Sequence, residues 1–242
     1  MNAYETALKT FTDRLNPRRF KPKAVPMLLQ DGLWTFEDIG KTLIPRFVID
    51  SCNREAFEQL FYYFTCQWEH FKGDPDKGIL LVGPVGTGKS VAFIVIQQFL
   101  RFLSLCKIIQ DSDQSAKFTI VKCTDIKSAY SDELSGGNTI LKKYKAPHQV
   151  FVFDDIGEEV REHDSRLATH FGMKLNVMEN ILTERVVNLV MYRTMTHATS
   201  NFPIVSGDAK TRYWEQLYGT RLADRAREMF NTIYLKGNSR RR

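Results

Sequence analysis

The residues Gly78-Ile79-Leu80-Leu81-Val82 run directly into Gly83-Pro84-Val85-Gly86-Thr87-Gly88-Lys89-Ser90. The stretch that follows carries Phe93, Ile96, Phe99 and Leu100 on one side. An unbroken apolar run reads as a strand buried on both faces. The spacing from Lys89 to Leu103 predicts a helix. A strand, a glycine-rich turn and a helix in this order confine the chain to α/β architectures with a mainly parallel sheet.

The turn matches G-x-x-x-x-G-K-[ST], whose chemistry is phosphate binding. Its glycines let the backbone wrap closely around phosphate oxygens. The helix behind it offers unpaired N–H groups and the positive end of its dipole. Lys89 is placed to reach the β- and γ-phosphates, and the Ser90 hydroxyl to ligate Mg²⁺. The expected binding set is Gly83, Pro84, Val85, Gly86, Thr87, Gly88, Lys89 and Ser90 with the adjoining Val91, and the expected ligands are ATP and Mg²⁺.

Three further segments fit around such a loop. Val150-Phe151-Val152-Phe153 predicts another buried strand, and it delivers Asp154 and Asp155 to its carboxyl end, where open α/β sheets bind ligands. Asp154 is the second expected metal ligand, directly or through water, and Asp155 the group that polarises an attacking water. Thr199-Ser200-Asn201 ends a predicted strand from His197, so Asn201 is placed to orient that water, to contact the γ-phosphate, or simply to start a loop before Pro203. In Gly219-Thr220-Arg221-Leu222-Ala223-Asp224-Arg225, the two arginines share a helix face. They can grip phosphate oxygens or pair with Asp224 and Glu228.

The chain has 242 residues, 43% hydrophobic and 26% charged. That suits one medium α/β domain with a small appendage. Prolines at 17, 22, 26 and 45 interrupt residues 1–50, which read as a separate N-terminal region, helical over Tyr4–Leu15 and then extended. The remainder, 51–242, reads as the nucleotide-binding domain. An aromatic stripe over 53–71, from Ala56 through Leu60, Phe61 and Phe64 to Trp68, predicts a core helix. Residues 166–192 read as broken helix, 212–227 as helix, and Asn231–Lys236 as a last short strand.

Cys52, Cys66, Cys106 and Cys123 form no C-x-x-C pair and have no zinc-ligand spacing, so they are expected as free thiols packed like small hydrophobes. The first residues lack an apolar signal core, and no stretch reaches the roughly 18 apolar residues of a membrane span. A cytoplasmic protein with no membrane partner is expected. The net charge of +6 is uneven. Basic residues cluster over 9–23 and at Arg240-Arg241-Arg242, and acidic ones from Asp154 to Asp164. Basic ends suit a polyanion partner or are solvated termini.

Together these segments resemble the helicase-loader branch of the AAA+ ATPases, which includes the DnaC and DnaI loaders and the IstB-type transposition helpers. The likeness rests on Gly83–Ser90 as Walker A, F-V-F-D-D-I-G-E-E ending at Glu159 as Walker B, Thr199-Ser200-Asn201 as sensor 1 and G-T-R-L-A-D-R over 219–225 as the arginine-finger box. It implies a five-stranded P-loop core without a C-terminal lid. It implies an oligomer in which Arg225, or else Arg221, acts on a neighbour's γ-phosphate, with Lys89, Asp155 and Asn201 as the catalytic groups in cis. It also implies assembly on single-stranded DNA and a replicative helicase as partner, contacted through residues 1–50, or a transposase in the IstB-like alternative. One feature departs from the pattern. Asp155 stands where many AAA+ proteins have glutamate, which implies slow turnover. The segment Ala129–His148, where this branch carries an extra DNA-channel helix, holds Lys142, Lys143 and Lys145 around Tyr144. Lysines with an interleaved aromatic suit single-stranded nucleic acid, or they are a solvated loop. A small-molecule kinase is the reading from another class, but neither an acceptor pocket nor a lid is legible.

Overall fold

The computed structural model describes residues 5–6, 23–109, 117–160, 167–205 and 213–240. Five strands form one parallel sheet: β1 (Gly78–Val82), β2 (Phe118–Lys122), β3 (Val150–Ile156), β6 (Thr196–Ser200) and β7 (Phe230–Tyr234), in the order β2-β3-β6-β1-β7. Two three-residue strands, β4 (Ala168–His170) and β5 (Met173–Leu175), make a separate antiparallel hairpin. The helices are α1 (Leu29–Leu43), α2 (Arg54–Phe64), α3 (Lys89–Leu105), α4 (Cys123–Tyr130), α5 (Asn138–Lys145), α6 (Val177–Tyr192), α7 (Trp214–Tyr218) and α8 (Thr220–Met229).

The alternation of side chains along a strand sorts the interior into two apolar clusters, one on each face of the sheet. Ile79, Leu81 and Val152 pack with Phe36 of α1, Phe57 and Phe61 of α2 and Phe93, Ile96 and Phe99 of α3. Leu80, Val82, Phe151 and Phe153 pack with Ile126 of α4, Ile181 and Leu182 of α6, Trp214 of α7 and Leu222 and Ala226 of α8. Both faces are covered, as a parallel sheet requires. The adjacent carboxyl ends of β1, β3 and β6 are where the chemistry-bearing residues meet. An inner strand running into the glycine loop and α3, flanked by β6 and β7 in a five-stranded parallel sheet, is a P-loop NTPase core.

Several expectations need correction. The stretch expected to be extended before residue 50 contains the fifteen-residue helix α1. Pro26 and Pro45 lie outside its ends and do not interrupt it. Its Leu33 and Phe36 are buried in the same cluster as Phe57 and Phe99, so residues on either side of position 50 share one core. Of the helix expected over Tyr4–Leu15, Glu5 and Thr6 are helical and the rest lies outside the described residues, as do the basic residues from Lys9 to Lys21, Glu162, Asp164 and the final two arginines. The helix expected over 53–71 stops at Phe64, and Cys66 has a left-handed backbone (φ 58°) that cannot continue it. Where broken helix is expected over 166–192, the described residues from 167 form the β4–β5 hairpin and then α6, because Phe171-Gly172 turns the chain back with both φ angles positive. The helix expected over 212–227 is split at Gly219 into α7 and α8. Of the four thiols only Cys123 is buried, whereas Cys52 and Cys106 are exposed, so packing as small hydrophobes holds for Cys123 alone. Among the described residues no helix is long and apolar enough to cross a membrane.

Candidate nucleotide site

Between Val82 and α3 the chain turns through Gly86 (φ 85°) and Gly88 (φ 97°), backbone conformations that side chains resist. These two glycines bend the loop back over the start of α3. The N–H groups of Gly86, Gly88 and Ser90 donate to no protein acceptor among the described residues. Orphan donors at a helix start form an anion site. The loop's other polar groups hold its shape: Thr87 Oγ1 donates to the Pro84 carbonyl at 2.9 Å.

Lys89 is buried, and a buried ammonium requires acceptors. Its Nζ donates to the carbonyls of Gly83 (2.8 Å) and Pro84 (3.0 Å) and to Oδ1 of Asn201 (2.6 Å). Asn201 follows directly on β6, the strand beside β1, and its Nδ2 donates to Glu158 Oε1 at 2.5 Å. The residue expected to orient water therefore also bridges the loop lysine to the turn after β3.

Ser90 and Asp154 meet as the sequence predicts. Ser90 Oγ donates to Asp154 Oδ1 at 2.7 Å, and Thr199 Oγ1 donates to the same oxygen at 2.7 Å. The Thr199 hydroxyl in turn accepts the N–H of Asp155 at 2.8 Å. The register of β3 against β6 slips between Phe153 and Ile156, and Asp155 there has φ 57°. A bulge of this kind re-aims a side chain, and a non-glycine residue in this region marks stored strain. Both aspartates border a smaller cavity beside Ser90. Asp154 is buried beside Ser90, whereas Asp155 is half-buried and lines the large cavity over the loop.

That cavity has a volume of about 800 Å³, within the usual range for small-molecule sites. Its floor is Val85–Val91, with Asp155, Glu158 and Asn201 on one side. The opposite wall comes from Ile44–Val48, Asn53 and Phe57, and Arg240 completes it. An apolar slot beside a phosphate loop suits the base and sugar of a nucleotide. None of these wall residues was legible as a site in the sequence, because they converge only when α1 and the segment after β7 fold onto the loop. Glu158 and Thr199 were quoted within motifs but not as participants. Their roles emerge from the cross-strand pairing of β3 with β6.

The other predicted residues lie elsewhere. Arg221 is exposed and Arg225 half-buried on α8, and neither lines the cavity. Among the described residues neither makes an ion pair, while Asp224 is taken by Arg227 at 3.2 Å. The short α7 that precedes them is tied to the turn after β3, since the Tyr218 hydroxyl donates to buried Glu159, whose other oxygen accepts the Gly157 N–H. Burial pushes the Glu159 carboxyl above its ordinary range, while these donors pull the other way. Lys142 and Lys143 are exposed and Lys145 half-buried on α5, but Tyr144, between Lys143 and Lys145, is buried against Phe151 and Phe153. The expected interleaved aromatic is thus a core residue and offers no stacking surface.

No family model matches the sequence, and no curated protein sequence matches it. The backbone is similar to two solved structures. One is described as the crystal structure of the DnaI, at 19% identity, covering 82% of this chain and 93% of the other, with a TM-score of 0.48. The second is the DnaC helicase loader, at 17% identity, covering 80% of this chain and 96% of the other, with the same TM-score of 0.48.

Proposed function

We propose that this chain is an ATP-dependent DNA-replication factor, a DnaC-like helicase loader of the AAA+ type that binds and hydrolyses ATP. The observation that carries the reading is the direct contact of the Ser90 hydroxyl with Asp154 Oδ1 at 2.7 Å, beside a lysine held within its own glycine loop. A hydroxyl and a carboxylate at this spacing fit Mg²⁺, a hard cation that takes one or two protein oxygens and completes its shell with phosphate and water. Among the described residues no group of three His, Cys, Asp or Glu forms a metal cage, so the donor set fits a cation that arrives with its phosphate. When bound, Mg²⁺ neutralises charge on the β- and γ-phosphates.

The chain's own groups then divide the work. The N–H groups of the loop and α3 bind phosphate oxygens, with Lys89 as the cation beside them. The Ile44–Val48 wall encloses the nucleoside. Asp155, turned by the bulge into the cavity, orients and polarises the attacking water, and Asn201 holds Lys89 and Glu158 in register with it. Arg225, with Arg221 second, lies outside this cavity and serves the γ-phosphate of a neighbouring copy, so ATP hydrolysis is oligomer-dependent. The α5 lysines contact single-stranded DNA through phosphates rather than by stacking, which makes that contact strongly salt-dependent. The partner is a replicative helicase, engaged by the N-terminal region with Leu28 and Trp34 exposed at its surface. A transposase is the partner in the IstB-like alternative, and a pull-down with residues 1–50 separates the two.

The reading is tested by calorimetry with ATP and Mg²⁺. Lys89→Ala is expected to abolish binding, and unchanged affinity would remove the proposal. For the shared site, Arg225→Ala is expected to retain ATP binding and lose hydrolysis by on the order of 10³-fold in the assembled state. Mixing it with Asp155→Asn restores activity in part, because each variant supplies what the other lacks. Absence of rescue at every ratio counts against a finger in trans.

A further inference from the structure

The segment after β7 runs back along the phosphate loop. Leu235 donates its N–H to the Val82 carbonyl at 2.8 Å, and its own carbonyl lies 2.3 Å from where a side chain on Gly83 would begin. Ser239 then lies against the loop's apex, where a methyl group on Gly86 would be 2.3 Å from its Oγ. The Arg240 N–H donates to the Gly86 carbonyl at 2.9 Å. Glycine at 83 and 86 thus makes room for this segment as well as for phosphate.

From there the Arg240 side chain crosses to the opposite wall. Its Nη2 donates to both oxygens of Asp50, at 2.9 and 2.8 Å, and its Nη1 to the Val48 carbonyl at 3.3 Å. One guanidinium nitrogen shared between both carboxylate oxygens is a charge-assisted contact, and the second nitrogen on Val48 O fixes its direction. The turn it grips is itself knotted: Asp50 also accepts the Cys52 N–H, its N–H donates to Asn53 Oδ1, and Asn53 Nδ2 donates to Val48 O. Val48, Asn53 and Arg240 all line the cavity. The Arg240 Nε–H is buried and has no acceptor.

We propose that Arg240 is a positioning residue for the nucleotide, a clasp that holds the nucleoside wall at 44–53 at a fixed separation from the phosphate loop. The inference rests on the nucleotide-binding reading above. A ligand spanning both halves binds to a pre-set gap instead of ordering it on arrival, and such preorganisation raises affinity by reducing that cost. A ligand occupying the phosphate loop alone gains nothing from the clasp, because the backbone bond to Gly86 survives any side-chain change at 240.

The test compares ATP with inorganic tripolyphosphate, each with Mg²⁺, on the full chain. Arg240→Ala and Asp50→Asn are each expected to weaken ATP about tenfold through faster dissociation, which corresponds to about 1.4 kcal/mol. Tripolyphosphate affinity stays unchanged. The exchanged pair Asp50→Arg with Arg240→Asp recovers most of the loss. ATP affinity equal to wild type in both single variants overturns the clasp. So does an equal loss for ATP and tripolyphosphate, which would mean the loop itself had been disturbed. If the unaltered protein binds neither ligand, the nucleotide reading fails and the clasp with it. If the unaltered protein binds both and Lys89→Ala binds neither, the nucleotide reading stands and the Arg240 result decides the clasp alone.

Discussion

Strand β6 has a buried cation at each end, and the two are used differently. At its start Thr196 accepts from Arg185 Nε at 2.8 Å, and just past its end Asn201 accepts from Lys89 Nζ at 2.6 Å. The Arg185 guanidinium spreads its remaining donors over the carbonyls of Ala146, Gln149 and Met195 at 2.8–3.0 Å. It has no carboxylate partner among the described residues, and burial draws its pKa down to about 10, still high enough to keep it charged at neutral pH. A planar fork with fixed donors suits a site where several carbonyls must stay in place. Lys89 is a point charge on a flexible stem, held by a loop that wraps open space. The same requirement, that a buried charge be surrounded by acceptors, serves the architecture at one end of the strand and, in the proposed function, the nucleotide at the other.

The largest expected effect breaks the architectural end. Arg185→Met leaves the buried Thr196 hydroxyl and three part-buried carbonyls without this donor and is expected to cost about 1–3 kcal/mol of stability. Lys89→Met, at the ligand end, is expected to cost no more than about 1 kcal/mol while removing nucleotide binding. Urea unfolding of both variants checks the contrast. Equal midpoints would mean that the two cations do not differ in kind.

A second test sharpens the ligand end. Asp154→Asn keeps an oxygen for the Ser90 and Thr199 hydroxyls but removes the negative charge, so the fold is expected to persist. The Mg²⁺ concentration needed for tight ATP binding should rise by roughly ten- to hundred-fold. A Mg²⁺ dependence identical to wild type would take Asp154 out of the cation site.

The two ends of β6 also differ in how far they could be read from the sequence. The ligand end was legible because its residues sit in local patterns: the loop at Gly83–Ser90, the carboxylates at the end of β3, and Asn201 just past β6. Strand, turn and helix chemistry act over a few residues, and the composition of each segment carries them. Arg185 carried no signal, since its partners come from residues 146–149 and 195–196, gathered only by the packing of α6 against β3 and β6. The same non-locality hid α1. The prolines suggested extended chain, whereas Gly32 and Gly40 within the helix each face an aromatic ring, Phe61 and Phe47 respectively, and a side chain at either position would collide with it. It hid Arg240 as well, which in sequence is one more basic residue in a charged run. Tyr144 failed in the opposite direction. A local pattern of lysines around an aromatic suggested a stacking surface, but the helix turns that ring inward toward Phe151.

The smallest expected effect lies between the two cations. His197, next to Thr196 on β6, is buried against the rings of Tyr63, Phe64, Phe93 and Phe118, and its Nδ1 accepts the Ile79 N–H at 3.0 Å. Burial, with the charge of Arg185 second, lowers its pKa from 6.5 to about 3. Tyr63, the other titratable group in this cage, is pushed far above its ordinary range by burial and stays neutral. A group whose folded pKa is depressed gives stability that is fully present above its unfolded pKa and is lost as pH falls toward the folded one. The window here runs from about pH 6.5 down to about pH 3. Within it the unfolded chain takes up a proton that the folded chain refuses, at about 1.4 kcal/mol per pH unit. His197→Gln keeps an acceptor for Ile79 and removes the titration, so its stability should fall less steeply than wild type, by about 1 kcal/mol between pH 6.5 and 5.5. Parallel urea-derived stability curves for the two proteins over that interval would show that His197 titrates alike in the folded and the unfolded chain.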